Sequence, residues 1–280
     1  MLKLSALRAV LHVESDTPIT FYTGKLVKTV LYTLFKELRL YRGLRGIVSP
    51  LHISPLFRPG RREWELGELV TPVYVKEGDS YHLAPARLDG EYIIHIGGLS
   101  GLVEKAASLL NQLKTPLQLK IGDAIIKVKL EKAEDVTGAI TSKELSSGRL
   151  TLYLKGPVKL FNIYTKSRLP KYNISAVETL MTPYMFYKGQ LTINENLLLE
   201  SAHILGLLVE TYYSINTVKY IQVPLNNGKD PGLVGKITYI IDTDNPEKRR
   251  TIREILNIAE ITGIGESRAN GFGTTTWKSK

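Results

Sequence analysis

The 280-residue chain contains no cysteine, so it can form neither a disulfide nor a thiolate–metal site. It has no apolar run near the roughly 18 residues that a membrane-spanning helix requires. Lys3, Arg8 and His12 interrupt the N-terminal apolar stretch, which is therefore not typical of a signal peptide. These absences exclude a disulfide scaffold, and they predict a cytoplasmic protein without a membrane partner.

Acidic residues are outnumbered in this sequence. The 37 lysines and arginines exceed the 27 aspartates and glutamates, giving a net charge of +10. This excess favours an acidic partner such as nucleic acid. The length suits one large domain or two ordinary ones, and a hydrophobic fraction of 43% suits a folded chain.

Histidine is also scarce. The five histidines are scattered through the chain, at His12, His52, His82, His95 and His203. Their spacing contains no pattern typical of a metal site, such as two histidines four residues apart on one helix. The sequence therefore predicts neither a bound metal nor a cofactor.

The hydrophobic periodicity predicts a β-α-β-β-α-β outline in the first half, a domain of residues 1–135. Its helices are expected at 23–42 and 102–113, and its strands at 2–13, 47–57, 69–75, 80–83, 92–96 and 117–130. The segment 134–149 is short and polar and predicts a linker.

The outline repeats in a second domain, residues 145–280. Strands are expected at 150–163, 218–224, 234–242 and 272–278, an irregular stretch at 164–190, and a helix at 194–214. A last helix should begin at Asn245-Pro246 and end at Gly263. Two such units predict an α+β fold of two tandem ferredoxin-like (RRM-like) modules.

The strongest motif is a glycine-rich loop near the end of the chain. Gly263, Gly265, Gly271 and Gly273 form two Gly-x-Gly pairs around a polar insert that contains Arg268. Glycines permit positive φ, and successive N–H groups can form an anion-binding nest. Arg268 would add a planar fork for phosphate oxygens. The alternative is a glycine helix cap followed by a bend into a strand.

This motif, at the end of a basic two-module chain, resembles the C-terminal signature of the CRISPR repeat-processing endoribonucleases ("Cas six") of the RAMP superfamily. Ile264 and Phe272 stand at the apolar positions of the signature. The upstream hairpin at 220–241 also resembles that family. The organisation matches over the whole chain, and the specific motif covers about its last quarter.

The resemblance implies binding of CRISPR repeat RNA and metal-independent cleavage within the repeat to yield guide RNAs. The expected chemistry is attack by the 2′-hydroxyl, with a 2′,3′-cyclic phosphate product. Family members often carry a catalytic histidine near the end of the first helix. This sequence has Arg42-Gly-Leu-Arg45 there instead.

Other groups must then assist the proton transfers and stabilise the phosphorane. Lys25 and Lys28 lie one turn apart on the polar face of the first predicted helix, together with Tyr32. Two adjacent ammonium groups would lower each other's pKa. Tyr22 could orient a hydroxyl or stack a base, or it could pack with Phe21. The candidate catalytic residues are therefore Lys25, Lys28, Arg268, Tyr22 and His52.

Basic clusters elsewhere are candidates for phosphate contacts, with a solvated surface as the alternative. Besides the four loop glycines, the predicted RNA-binding residues are Arg42, Arg45, Arg58, Arg61, Arg62, Lys166, Arg168, Arg249 and Arg250.

Two other functions stay open at this stage. The first is a non-catalytic RAMP subunit that holds guide RNA within a CRISPR effector complex. The second is a general RNA-recognition module, because the final strand carries Phe272 and Trp277. Effector subunits and a second copy of the chain are hypothetical partners.

Overall fold

The computed structural model of the chain describes residues 2–34, 48–160, 174–225 and 228–279. The later part of the first predicted helix, the first part of the predicted irregular stretch and the centre of one turn lie outside these ranges. The structural statements below concern the described residues. None of the helices found in them is long and apolar enough to cross a membrane.

The first module has two main helices on a seven-stranded antiparallel sheet. Its elements are β1 (Leu4–Ser15), α1 (Thr23–Leu34), β2 (Leu51–Ile53), β3 (Leu56–Pro59), β4 (Leu66–Val70), β5 (Val73–Glu77), β6 (Ser80–Ala84), β7 (Asp89–Leu99), α2 (Ser100–Leu110), β8 (Leu117–Ile121) and β9 (Ala124–Asp135). The sheet order is β4-β3-β7-β1-β9-β8, and β2 also pairs with β7. Strands β5 and β6 form a separate hairpin.

The rest of the chain builds a second sheet. Its elements are α3 (Thr137–Thr141), β10 (Arg149–Val158), α4 (Ala176–Tyr187), α5 (Glu195–Leu205), β11 (Leu208–Glu210), α6 (Tyr213–Thr217), β12 (Val218–Leu225), β13 (Gly228–Ile241), α7 (Pro246–Thr262) and β14 (Thr275–Ser279). The sheet order is β11-β13-β10-β14, and β12 pairs with β13. In both sheets the module's first strand lies between its third and last core strands, the ferredoxin-like order. The predicted fold class is confirmed, whereas the domain boundary near 135–145 stays a prediction.

Local sequence signals explain where α7 begins and ends. The Asn245 side chain accepts hydrogen bonds from the N–H groups of Glu247 and Lys248, and Pro246 occupies the first turn. Gly263 ends the helix with a φ of 69°. The apolar face of α7 is buried in the second core, which confirms the predicted helix.

The predicted helix order of the second module was wrong in two places. Helix α4 forms within the stretch that we expected to be irregular. It is buried on nearly all sides, from Ala176 to Phe186, so it lacks the one-sided apolar stripe on which the prediction relied. The helix predicted at 194–214 ends at Leu205, and the following β11 is an edge strand. The segment 218–224 forms one arm of the β12–β13 hairpin, as the sequence predicted.

The two modules meet where α7 packs on the outer face of the first sheet. A Cβ atom at Gly97 of β7 would lie only 1.8 Å from the Ile261 carbonyl oxygen, so the two backbones are in direct contact. Beside this contact, the buried Glu260 carboxylate lies 3.3 Å from Arg8 and 2.5 Å from Lys143. Close backbone contact and the buried Glu260 carboxylate with its two cationic partners therefore hold α7 against the first module.

Two histidines are buried in the same interface. The Nε2 atom of His95 lies 2.9 Å from the Ile261 carbonyl oxygen, and the Nε2 atom of His52 lies 3.2 Å from the Thr274 hydroxyl. Burial lowers the pKa of His95 to about 3, with a further contribution from the charge of Arg8. Burial, then His95 and Arg268, lower the pKa of His52 well below its usual range. Both side chains are therefore neutral in the folded protein.

We predict that stability declines as the pH falls below about 6.5, the pKa of an unfolded histidine. The unfolded chain then binds protons that the folded chain excludes, so each histidine costs about 1.4 kcal/mol per pH unit. The loss should continue toward pH 3, where His95 itself titrates. Urea unfolding of His95→Asn at pH 7 and pH 5 should give a smaller decrease than wild type. The exposed His82→Asn is the matched control. Equal decreases in all three proteins would contradict the prediction.

Candidate functional site

The glycine-rich loop, residues 263–273, connects the end of α7 to the approach of β14. Its glycines Gly263, Gly265, Gly271 and Gly273 have φ values of 69°, 70°, 96° and 88°. Only glycine adopts such angles readily, so the motif spacing sets the path of the loop. The loop also contains Ser267, a non-glycine residue with a φ of 57°.

Most N–H groups of this loop are not available for the predicted anion-binding nest. Seven of its N–H groups donate hydrogen bonds to backbone carbonyl groups of the protein itself. These groups belong to Gly263, Ile264, Glu266, Asn270, Gly271, Phe272 and Gly273. Because these N–H groups are already satisfied, the loop backbone cannot bind a phosphate through them without rearranging.

The loop glycines instead permit close contact between backbones. A Cβ atom at Gly271 would lie 2.6 Å from the Cα atom of Gly24, and a Cβ atom at Gly24 would lie 2.5 Å from the Asn270 carbonyl oxygen. At Gly265 and Gly273 a Cβ atom would lie 2.4 Å and 2.1 Å from carbonyl oxygens. The N-terminal turn of α1, from the first module, therefore lies directly on the loop of the second.

Arg268, which the sequence predicted to bind phosphate oxygens, is buried in the protein. Arg268 is only 2% exposed. Its guanidinium donates one hydrogen bond of 2.6 Å to the Thr262 carbonyl oxygen and another to the Ser49 carbonyl oxygen. Its guanidinium carbon lies 5.0 Å from the ring centroid of Phe186. Burial lowers its pKa to about 9. Arg268 thus binds the carbonyl end of α7 and joins the loop to the segment before β2, a placement that suits a cation near a helix C-terminus.

Tyr22 is also buried, which corrects the expectation of an accessible hydroxyl or a stacking ring. Its hydroxyl donates a hydrogen bond of 2.5 Å to the Gly271 carbonyl oxygen, and its backbone N–H donates one of 3.0 Å to the Pro224 carbonyl oxygen. Its ring centroid lies 5.3 Å from that of Phe272. Tyr22 therefore joins the start of α1 both to the loop and to the β12–β13 hairpin.

Two lysines of α1 reach the surface beside the loop. Lys25 and Lys28 are both partly exposed and one turn apart. The Lys28 ammonium donates to the side-chain oxygen of Asn270 and lies 5.1 Å from the Tyr32 ring centroid. The structure thus brings the predicted lysine face of α1 to the loop.

Asn270 is the residue of this site that the sequence analysis missed. Its position between Arg268 and the Gly271–Gly273 pair marked it as part of the loop, but no pattern linked it to α1. That contact depends on how the two modules pack, which local spacing does not reveal.

The structure places the other predicted residues in three groups. His52, in β2, is fully buried against Thr274, so it is not an accessible proton acceptor in this structure. Arg58, Arg61, Arg62 and Arg250 are exposed. Arg249 is not free for RNA, because its guanidinium donates to the Ser147 and Thr243 carbonyls. Arg42, Arg45, Lys166 and Arg168 lie outside the described residues.

The basic residues at the start of α7 do not belong to the same site as the loop. Arg249 and Arg250 lie in the first turns of α7, and the loop begins after its last turn. At 1.5 Å per residue, the two ends are roughly 20 Å apart. Among the described residues, no cluster of three histidine, aspartate or glutamate side chains could hold a metal ion.

Comparison with known proteins supports the resemblance found in the sequence. The family described as CRISPR-associated endoribonuclease Cas6 matches residues 179–275, which include most of α4, the β12–β13 hairpin, α7 and the glycine-rich loop. A search of curated proteins finds no significant match.

Solved structures match the chain over nearly its whole length. A Cas6 product complex is 13% identical with a TM-score of 0.64, over 99% of this chain and 100% of that one. A Cas6 from Thermus thermophilus is 13% identical with a TM-score of 0.58, over 99% of each chain. The product of a Cas6-related gene from Pyrococcus furiosus is 12% identical with a TM-score of 0.57, over 98% of each chain. At these identities the likeness establishes the fold.

The family match falls on the loop whose spacing first suggested it, and the structural matches extend the same fold through both modules. These findings bear out the resemblance inferred from the sequence: the Cas6 family model matches residues 179–275, and solved Cas6 and RAMP proteins share the fold of nearly the whole chain.

Proposed function

We propose that the protein is an endoribonuclease that binds CRISPR repeat RNA and cleaves the precursor transcript within its repeats. The Cas6 match and the Cas6 product complex of the same fold support RNA processing. The net charge of +10 suits a polyanionic substrate. We further propose that cleavage needs no metal ion and that the protein acts in the cytoplasm. Effector subunits and a second copy of the chain stay hypothetical partners.

One observation carries the assignment of the catalytic site. Lys28 of the first module donates to Asn270 in the glycine-rich loop of the second, and Lys25 lies one turn away on the same helix. Close backbone contact at Gly24 and Gly271 fixes the two elements against each other. The Lys28 ammonium is thus held at the loop, and Lys25 is partly exposed one turn away, an arrangement that suits a reacting phosphate.

The proposed reaction is an internal transfer at phosphorus. The 2′-oxygen of one nucleotide attacks the adjacent phosphorus as the bond from phosphorus to the 5′-oxygen breaks. The 2′-oxygen loses one proton and the 5′-oxygen gains one, leaving a 2′,3′-cyclic phosphate and a 5′-hydroxyl. Because charge accumulates on the non-bridging oxygens, the ammonium groups of Lys25 and Lys28 would stabilise the transition state. One lysine would also take part in a proton transfer.

A non-catalytic guide-RNA subunit is the second candidate function. The observation in its favour is that His52 and Arg268, which would suit acid–base and phosphate chemistry, are both buried and occupied. A general RNA-recognition module is less well supported. Phe272 and Trp277, the two aromatic residues of its faint motif, are both buried and cannot stack bases.

We predict that the protein cleaves labelled repeat RNA in EDTA, and that Lys25→Ala and Lys28→Ala each slow the single-turnover reaction. Loss of one positioned donor costs about 2–4 kcal/mol in the transition state, or roughly 30- to 1000-fold in rate. If the lysines act as a unit, the double variant should lose less than the sum of the two effects. Rates at saturating enzyme across a range of pH values measure this.

His52→Gln is the comparison for this experiment, and RNA of the same sequence with 2′-deoxyribose is the substrate control. Wild-type rates for both lysine variants, together with an inactive but folded His52→Gln, would restore a histidine base. Tight binding without cleavage by the wild-type protein would favour the non-catalytic subunit. Weak binding of any RNA sequence alike would favour the general module.

We also predict that Arg268→Ala lowers stability as well as the cleavage rate. Its removal leaves two buried carbonyl groups without their charged donor and opens a cavity beside Phe186. We expect a loss of about 2–4 kcal/mol in urea unfolding. Arg268→Lys should not restore stability, because one ammonium cannot replace the planar fork that reaches both carbonyls. Unchanged stability with a reduced rate would instead place the guanidinium at the phosphate.

A further inference from the structure

A surface formed by both modules lies beside the candidate site. The β5–β6 hairpin of the first module lies against β12 of the second. At this contact the Lys229 ammonium is 4.3 Å from the ring centroid of Tyr74 and 5.0 Å from that of Tyr81. Both distances are within the range of cation–π attraction.

The pairing of β5 with β6 places a second lysine on the same face. Lys76 is directly opposite Tyr81, and Tyr74 is two residues before Lys76, so the three side chains share one face of the hairpin. Because successive side chains of a strand point to opposite faces, Glu77 lies on the other face of the hairpin. Tyr74, Lys76, Tyr81 and Lys229 together are called the tyrosine–lysine surface below.

The ammonium groups of this surface are available to an anion. Lys76 and Lys229 are exposed, and within the described part of the chain neither has a carboxylate at ion-pair distance. Tyr81 is 50% exposed, which is high for a large aromatic side chain. A ligand for this surface should therefore combine negative charge with flat, apolar faces.

The tyrosine–lysine surface is close to the proposed site of cleavage. Lys229 pairs with Pro224 across the β12–β13 hairpin, and the Pro224 carbonyl accepts the N–H of Tyr22 at 3.0 Å. Lys25 is three residues further along the chain. One strand spacing and one helical turn separate the two places, a distance on the order of 10–15 Å. A single RNA strand of a few nucleotides can span that distance.

We propose that the tyrosine–lysine surface binds unpaired nucleotides of the RNA next to the cleaved bond. Tyr81 stacks on a base, and Lys76 and Lys229 bind the neighbouring phosphates. The identity of the ligand as RNA rests on the proposed function. Unpaired nucleotides fit better than a duplex, since a duplex keeps its base faces inside the stack. Stacking on tyrosine is tolerant of sequence, so recognition here contributes affinity rather than base identity.

The competing role for these residues is structural. Lys229 could serve only to join the two hairpins, with the rings of Tyr74 and Tyr81 as its partners. In that case its loss would lower stability and leave RNA binding unchanged. Measurements of unfolding and of binding on the same variants separate the two roles.

The experiment uses the full chain and a labelled oligouridine of about 12 nucleotides, which has no stable pairing and suits the site sizes of such surfaces. Tyr81→Ala should weaken binding roughly 5- to 150-fold, the range for one stacked base. Tyr81→Phe should bind nearly as wild type, because it keeps the ring. Lys229→Ala should reduce the slope of log affinity against log salt by about 0.7, the value for one phosphate of a single strand.

Tyr212→Ala is the matched control. Tyr212 is 76% exposed, and the adjacent Thr211 binds Thr238, nine residues along β13 from Lys229. The two places are therefore roughly 30 Å apart. Unchanged affinity in folded Tyr81→Ala would overturn the proposal, as would a Lys229→Ala variant that loses stability but keeps the wild-type salt slope. Equal weakening by Tyr212→Ala would also overturn it.

Failure of this proposal can be distinguished from failure of the proposed function. Wild-type cleavage of repeat RNA with unchanged oligouridine affinity in Tyr81→Ala would retain the nuclease and reject the surface. Oligouridine binding that depends on Tyr81, without cleavage of repeat RNA, would retain the surface and reject the nuclease. No binding of either RNA by the wild-type protein would reject both.

Discussion

The candidate site depends on the contact of two backbones, at Gly24 of α1 and Gly271 of the loop. Neither position has room for a Cβ atom, since each would collide with main-chain atoms of the other element. The Tyr22 hydroxyl closes the same contact by donating to the Gly271 carbonyl. A helix from one module and a loop from the other are thereby held as one body. Lys28 and Asn270 can then meet at the surface, although 242 residues separate them in the chain.

Buried polar contacts around the loop keep this arrangement in place. Arg268 binds the end of α7 on one side and the segment before β2 on the other. His52 contacts the Thr274 hydroxyl, and the Glu260 carboxylate forms ion pairs with Arg8 and Lys143. Each of these groups would be costly to leave unpaired, so the network favours one relative position of the two modules. We propose that these buried polar residues mainly build the site and that the lysines on its surface perform the chemistry.

Much of this could be predicted from the sequence, because some signals are local. The cap at Asn245, the end of α7 at Gly263 and the position of the glycine-rich loop follow from residues that act on their own backbone. The lysine face of α1 follows from helical spacing. Other features depend on distant partners. From the sequence alone, the loop N–H groups could face either a ligand or a carbonyl group. Two of them donate to the carbonyls of Pro157 and Lys159, at the end of β10 and just after it. The burial of Arg268 and His52 and the role of Asn270 likewise depend on module packing. Helix α4 was missed because it is buried on nearly every side.

We propose that α1 and the glycine-rich loop act as one catalytic unit, joined by the contact of Lys28 with Asn270. A double-mutant cycle on single-turnover cleavage of repeat RNA tests this most directly, with Lys28→Ala, Asn270→Ala and the double variant. We predict that the double variant cleaves faster than the product of the two single rate reductions would give, with a coupling free energy of about 1–2 kcal/mol. The same cycle with Arg58→Ala in place of Lys28→Ala should show no coupling. Independent effects of Lys28 and Asn270 would contradict the claim.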